Sequence, residues 1–293
     1  MSDTHSTKPP EEALPVDDRP APTPPTFNPV ARTDGEIRSG KLAGKSMFAS
    51  IILLSWPVLI EVLLNTLVGL VDTLVAASIS IEVTDGVAAG TFALWLLLLV
   101  GMALGSGIFA LVSRAVGKGR MAMANTVVGQ AVMISAVIGV VFAFIGITFP
   151  ATLASSLGAQ GASLDDATAY LRLTAFGLPG LMMLSSGYAC MRGVGESVLP
   201  MQINLLVNAI NIVLSYLLSG ANIFGITNPS PLEMGASGIG LATTTGWTIG
   251  GMVVLWKLKS GVSGLRIIPR RFAPDRSTLL RILRVSWPAM AEQ

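Results

Sequence analysis

Two stretches decide the architecture: Ser55-Trp56-Pro57-Val58-Leu59-Ile60-Glu61 and Ser286-Trp287-Pro288-Ala289-Met290-Ala291-Glu292. Each carries Ser-Trp-Pro, places a glutamate four residues after the proline, and opens an apolar run after a basic approach. Self-similarity at so long a spacing marks an internal repeat. The reading predicts one complete unit between the copies, followed at 285–293 by the truncated start of a second.

The unit itself is unusually apolar. Apolar residues make up 52% of the chain and charged residues 12%, against about 25% charged in a typical soluble domain. A large water-soluble core would still need a polar surface to cover it, so burial in protein does not explain the deficit. One cysteine, Cys190, excludes an internal disulfide and a thiol-rich metal site, and the single histidine, His5, lies near the N-terminus. These counts exclude zinc hydrolases and Cys/His nucleophile arrangements. The glycines around Gly117, Gly193 and Gly238 do not sit between a strand and a helix, and no Walker-type phosphate loop occurs. The sequence therefore predicts a protein that is not an enzyme, with no cofactor and no nucleic-acid partner.

Residues 1–46 read differently. They hold Pro9, Pro10, Pro15, Pro20, Pro22, Pro24, Pro25 and Pro29, with mixed acids and bases and almost no apolar runs. Such a segment cannot bury enough surface to offset its ordering entropy, which predicts a disordered, Pro-rich cytoplasmic tail. It lacks the short apolar stretch of a signal peptide.

From Met47 onward, apolar stretches long enough to cross a bilayer follow one another; a crossing helix needs about 20 such residues. The expected spans are Phe48–Ala77, Val87–Val112, Asn125–Phe149, Ala167–Cys190, Val198–Gly220 and Gly235–Trp256, with a seventh opening near Val285. The fold class is thus all-α: a six-helix transmembrane bundle over 47–260, then a basic loop over 261–284. Charge placement supports the count. Arg32, Arg38, Lys41, Lys45, Arg114, Lys118, Arg120, Arg192 and the basic residues from Lys257 to Arg284 fall on one side if every span crosses. Glu82, Asp85, Asp165, Asp166 and Glu233 fall on the other, with Arg172 as the basic exception. The positive-inside rule puts the N-terminus in the cytoplasm of a multi-pass cell-membrane protein. An even number of spans makes the repeats parallel, two bundles facing each other across a cleft.

Acids inside a membrane are costly and point to function. Glu61 and Asp72 lie in span one with Asn65 between them, at spacings of four and seven that share one helical stripe. Asn204, Asn208, Asn211 and Ser215 line one face of span five, and Thr243, Thr244, Thr245 and Thr248 mark span six. These stripes predict the walls of a hydrated cavity, with Glu61, Asn65, Asn204 and Asn208 lining it. The alternative for such groups is interhelical hydrogen bonding that only holds the bundle together. Pro57 removes one backbone hydrogen bond inside span one and predicts a bend.

At these residues the chain resembles the multidrug and toxic compound extrusion (MATE) family of secondary antiporters. The resemblance rests on Pro57 with Gly69-Leu70-Val71-Asp72-Thr73, on Val112-Ser113-Arg114-Ala115-Val116-Gly117-Lys118-Gly119-Arg120, and on Tyr170-Leu171-Arg172. It continues through Arg192-Gly193-Val194-Gly195-Glu196, Asn208-x2-Asn211 and Gly238-Ile239-Gly240-Leu241-Ala242-Thr243. It implies twelve helices in two lobes, of which this chain supplies the first, with the C-terminal lobe as a missing partner. It also implies a proton or Na+ site with Asp72 as carboxylate and Asn211, Thr243 and the Ile239 carbonyl as neutral ligands. Where some members carry a second acid, this chain has Ser215. The implied activity is export of small organic, cationic or amphipathic compounds in exchange for H+ or Na+. A lipid-linked glycan flippase of the same superfamily is the alternative, as is an inactive half-transporter. A flippase would be expected to line its cleft with Arg or Lys, which spans one, two, three, five and six lack in their interiors.

Overall fold

The computed structural model describes residues 46–223, 225–268 and 275–291. The tail over 1–46 therefore falls outside the described residues except for Ser46, as does Glu292. Nine helices are present among the described residues: α1 Met47–Ala77, α2 Ile81–Gly117, α3 Met121–Thr148, α4 Pro150–Ser156, α5 Ala162–Ala175, α6 Leu178–Gly193, α7 Val198–Ser219, α8 Gly235–Ser260 and α9 Arg276–Ala291. Five of them, α1, α2, α3, α7 and α8, are long and apolar enough to cross a bilayer.

The boundaries follow local chemistry. Ser80 caps α2 by accepting the Val83 amide at 3.1 Å, and Lys118-Gly119-Arg120 turns α2 into α3 with Gly119 at φ +68°. Gly220 closes α7 in the left-handed region at φ +79°, where a side chain would be strained.

The fourth expected span is not one helix. Ala167–Cys190 is divided at Phe176-Gly177 into α5 and α6, with Pro179 in the first turn of α6. Proline lacks the amide a continuous helix needs and suits a helix start. At about 1.5 Å per residue neither piece spans the roughly 30 Å hydrocarbon core, whereas the two end to end do. The seventh helix also departs from expectation. It begins at Arg276 rather than near Val285, so the last part of the expected basic loop is helical. Asp275 sets this start by accepting from the Thr278 hydroxyl and the Ser277 amide.

α6 is the centre of the bundle, packed by α2, α3 and α8, while α7 pairs closely with α8 and α9 lies on α2. Two apolar clusters hold these elements. One joins Leu104, Ile108 and Val112 to Val127, Met191, Leu258 and Ile282. The other joins Val75 and Ala76 to Val83, Val87, Leu171, Leu178, Met182 and Ile239. Backbones come very close where glycine allows it. A methyl group on Gly180 would lie 2.5 Å from the Trp247 carbonyl oxygen, and one on Gly238 2.7 Å from that of Leu218.

α1 is the exception to this packing. Only 11% of its apolar window is buried, against 33–50% for the other four long helices. Leu59, Leu63, Leu67 and Leu70 are all exposed. Its last turns, at Val71, Val75 and Ala76, join an apolar cluster; at Glu61 and Asn65 it meets the bundle through hydrogen bonds.

Candidate functional site

The stripe on α1 that the 61–65–72 spacing predicts is the face turned to the bundle. It meets α7 along a hydrogen-bonded seam about 16 Å long, at 1.5 Å per residue. At one end, the Ser215 hydroxyl donates to Asp72 Oδ1 at 2.9 Å. One turn earlier on α7, Asn211 Nδ2 donates to Thr243 Oγ1 of α8 at 3.0 Å. The Thr243 hydroxyl in turn donates to the Ile239 carbonyl at 3.0 Å. The Tyr170 hydroxyl of α5 lies 3.4 Å from that of Thr91.

In the middle, Asn65 Oδ1 accepts from Asn204 Nδ2 at 3.0 Å and from Asn208 Nδ2 at 3.4 Å. Asn204 Nδ2 also lies 3.4 Å from the Glu61 carbonyl. At the far end the Glu61 carboxylate takes a hydrogen bond from Arg192 Nη2 at 2.5 Å. Glu61, Asn204, Asn208, Asn211, Ser215 and Thr243 are all buried, and Asp72 is half-buried. Pro57, one turn before Glu61, lies inside α1, which continues as one helix from Met47 to Ala77.

The sequence-predicted residues thus gather on one seam, and they bond mainly to each other across it. Ile239 contributes through its backbone, but Thr243 already engages that carbonyl. Thr244 and Thr245 do not join: the Thr244 hydroxyl donates to the Leu173 carbonyl and that of Thr245 to the Leu241 carbonyl of its own helix. Thr244 belongs with the bundle-holding alternative, whereas Thr245 is satisfied within α8 and joins no other helix. Sequence reasoning missed Arg192 as the partner of Glu61, having counted it only among the loop charges. It also gave no site role to Tyr170 and Tyr188. Nothing in the spacing of α1 reveals a partner on α6, because the pairing is made by tertiary packing.

Among the described residues of the seam, the oxygens that could take up a cation or a proton are those of Asp72 and Asn211. Asn211 Oδ1 is buried and has no hydrogen-bond partner among the described residues. A buried carbonyl without a donor is costly, and an acceptor one turn from the serine that engages a carboxylate is suited to a hard cation with oxygen ligands.

Comparison with known proteins agrees with this architecture. The MatE family model matches residues 57–217, more than half of the chain, and the chain belongs to that family. Solved structures are similar in fold at low identity. An outward-facing multidrug resistance MATE family transporter of the MOP superfamily is 23% identical with a TM-score of 0.73, covering 83% of this chain and 52% of that one. An inward-facing structure so described is 23% identical with a TM-score of 0.67, covering 82% and 53%. A MOP superfamily transporter from Pyrococcus furiosus, described as having a binding pocket of reversed polarity and a different function, is 22% identical. Its TM-score is 0.72, and the match covers 83% and 52%. The chain spans about half the length of these transporters.

Proposed function

We propose that this MatE-family chain acts as one lobe of a secondary exporter in the cell membrane. Paired with a second lobe across a central cleft, it exchanges H+ or Na+ for small organic compounds of cationic or amphipathic character. The observation that carries the reading is the Asp72 carboxylate, half-buried on a loosely packed helix, with the Ser215 donor beside it. The unsatisfied Asn211 carbonyl lies one turn away on α7. An ionised acid here is compensated by few groups, so gaining a proton or a monovalent cation changes the local charge balance strongly.

The mechanism follows from the unequal packing. α7 and α8 are held together by close backbone contact, whereas α1 rests on them through hydrogen bonds. Neutralising Asp72 from outside weakens its demand for the Ser215 donor and lets α1 shift, with Pro57 as the point of least backbone restraint. Substrate leaves outward, and loss of the ion to the cytoplasm resets α1. Arg192, which meets α1 at Glu61, is already neutralised by that carboxylate. An anionic lipid-linked headgroup would thus find no free counter-charge there, which favours the exporter over the flippase.

The test is Asp72→Asn in the full-length transporter reconstituted into vesicles. Ion-driven substrate uptake should fall by about 100-fold, since the group lost is a charge inside the membrane rather than a surface contact. Uptake at the unaltered rate with the same ion dependence would remove Asp72 from the mechanism.

A further inference from the structure

The Glu61 end of the seam is built like a receptor for an organic cation, and the chain fills it with its own. Arg192 Nη2 bonds the Glu61 carboxylate at 2.5 Å, and the same guanidinium carbon lies 5.9 Å from the centroid of the Tyr188 ring. A carboxylate and an aromatic ring together recognise guanidinium and ammonium groups by charge and by cation–π attraction. Two further polar atoms there are buried and unpartnered among the described residues: the Tyr188 hydroxyl and Arg192 Nε. A pair evolved only to join helices would be expected to satisfy the guanidinium fully, since unpaired buried donors are costly.

We propose that Glu61 and Tyr188 form a recognition site for the cationic group of a substrate, and that Arg192 occupies it as an internal stand-in until substrate displaces it. The proposal rests on the exporter reading above and names the substrate class and the competing residue at a second place on the seam, distinct from Asp72.

The energetics suit exchange. A buried carboxylate stripped of its partner is expensive, so an empty Glu61 site would destabilise the seam. Arg192 keeps the acid compensated, and replacing one cation by another leaves the local charge unchanged. The two partners also differ in freedom. Arg192 sits at the end of α6, whose backbone is wedged: a methyl on Gly193 would lie 2.7 Å from Val112 Cγ1. The side chain itself is 30% exposed, against 10% for that of Glu61. Arg192 therefore has a route to solvent by turning its long side chain outward, while Glu61 stays buried and offers the vacated position to the incoming cation.

The probe is ethidium, a planar fluorescent cation, titrated by anisotropy against the chain in lipid nanodiscs, with protein-free nanodiscs as background. Arg192→Gln removes the competitor. If Arg192 blocks the site about nine-tenths of the time, apparent affinity should rise roughly tenfold. Glu61→Gln should weaken binding on the order of thirtyfold, the range for losing one member of a desolvated charge pair. Tyr188→Leu should weaken it about threefold and Tyr188→Phe should not, because the ring supplies the attraction. The double variant Glu61→Gln/Arg192→Gln contains no buried unpaired charge, which protects the test if a single variant fails to fold; it should bind as weakly as Glu61→Gln. Equal weakening by Arg192→Gln and Glu61→Gln, or tight binding by the double variant, would overturn the proposal. Those outcomes leave the exporter reading standing, which the Asp72→Asn transport assay decides by itself.

Discussion

Asn65 shows how much one side chain can hold on a helix with little apolar burial. Its side-chain carbonyl oxygen serves two buried amides, Asn204 and Asn208, between the two acids of α1. Replacing it with leucine adds an apolar group to a helix already rich in them, and leaves Asn208 without that acceptor and Asn204 with only the distant Glu61 carbonyl. Stability of the chain in detergent should fall by about 1 kcal/mol, since polar contacts inside membranes are individually modest and unpaired buried amides cost about that much or more. Thermal unfolding followed by far-UV circular dichroism measures it. An unchanged midpoint would mean that the asparagines find other acceptors and that the middle of the seam does not hold α1. The spacing of Glu61, Asn65 and Asp72 made this face legible in the sequence, because a helix converts residue separation into direction with few alternatives. The partner of Glu61 was not legible, because Arg192 reaches it from a helix more than a hundred residues away through packing that no local pattern encodes.

Helix boundaries divide in the same way between what local chemistry states and what packing decides. Gly177-Leu178-Pro179 carries a readable break signal inside the fourth apolar run, and the chain breaks there; the total apolar length masked it. The start of α9 depends on a cap instead. The Thr278 hydroxyl, foremost, and the Ser277 side chain and amide hold the Asp275 carboxylate below the usual range, while the Asp275 amide donates to the buried Gln130 of α3 at 3.1 Å. A carboxyl whose value is depressed on folding adds stability above its unfolded value of about 3.9 and loses it as pH falls through the folded one. The first turn of α9 should therefore lose protection only below about pH 4. Asp275→Ala should fray that turn at neutral pH and abolish the acid response. Amide exchange at Ser277 and Thr278, corrected for intrinsic rates, reads both effects. Equal protection in the two proteins at pH 7 would show that Gln130 and the packing of Ile282, not the aspartate cap, position α9.

At the level of the whole molecule the question is how often the chain crosses the bilayer. α5 and α6 are each too short to cross alone, so they must act as one broken crossing if the basic and acidic loops are to stay on opposite sides. The charge pattern and the helix lengths thus make one joint prediction that neither makes separately. Asp165 lies in the first turn of α5, at the start of the broken pair, and Glu233 follows both the pair and α7. Two crossings between them return the chain to the same side, whereas a broken pair that only dips into the membrane leaves them on opposite sides. Cys190, the one cysteine, is buried at 1% exposure, so Cys190→Ser gives a clean background for single exposed reporters. In intact cells a membrane-impermeant maleimide should label Asp165→Cys and Glu233→Cys, and should label Lys118→Cys and Lys259→Cys only after permeabilisation. Labelling of Asp165→Cys without Glu233→Cys would mean that α5 and α6 do not cross. The seam between α1 and α7 would then join helices whose ends lie on different sides from those proposed, and an ion could not pass along it from outside to inside.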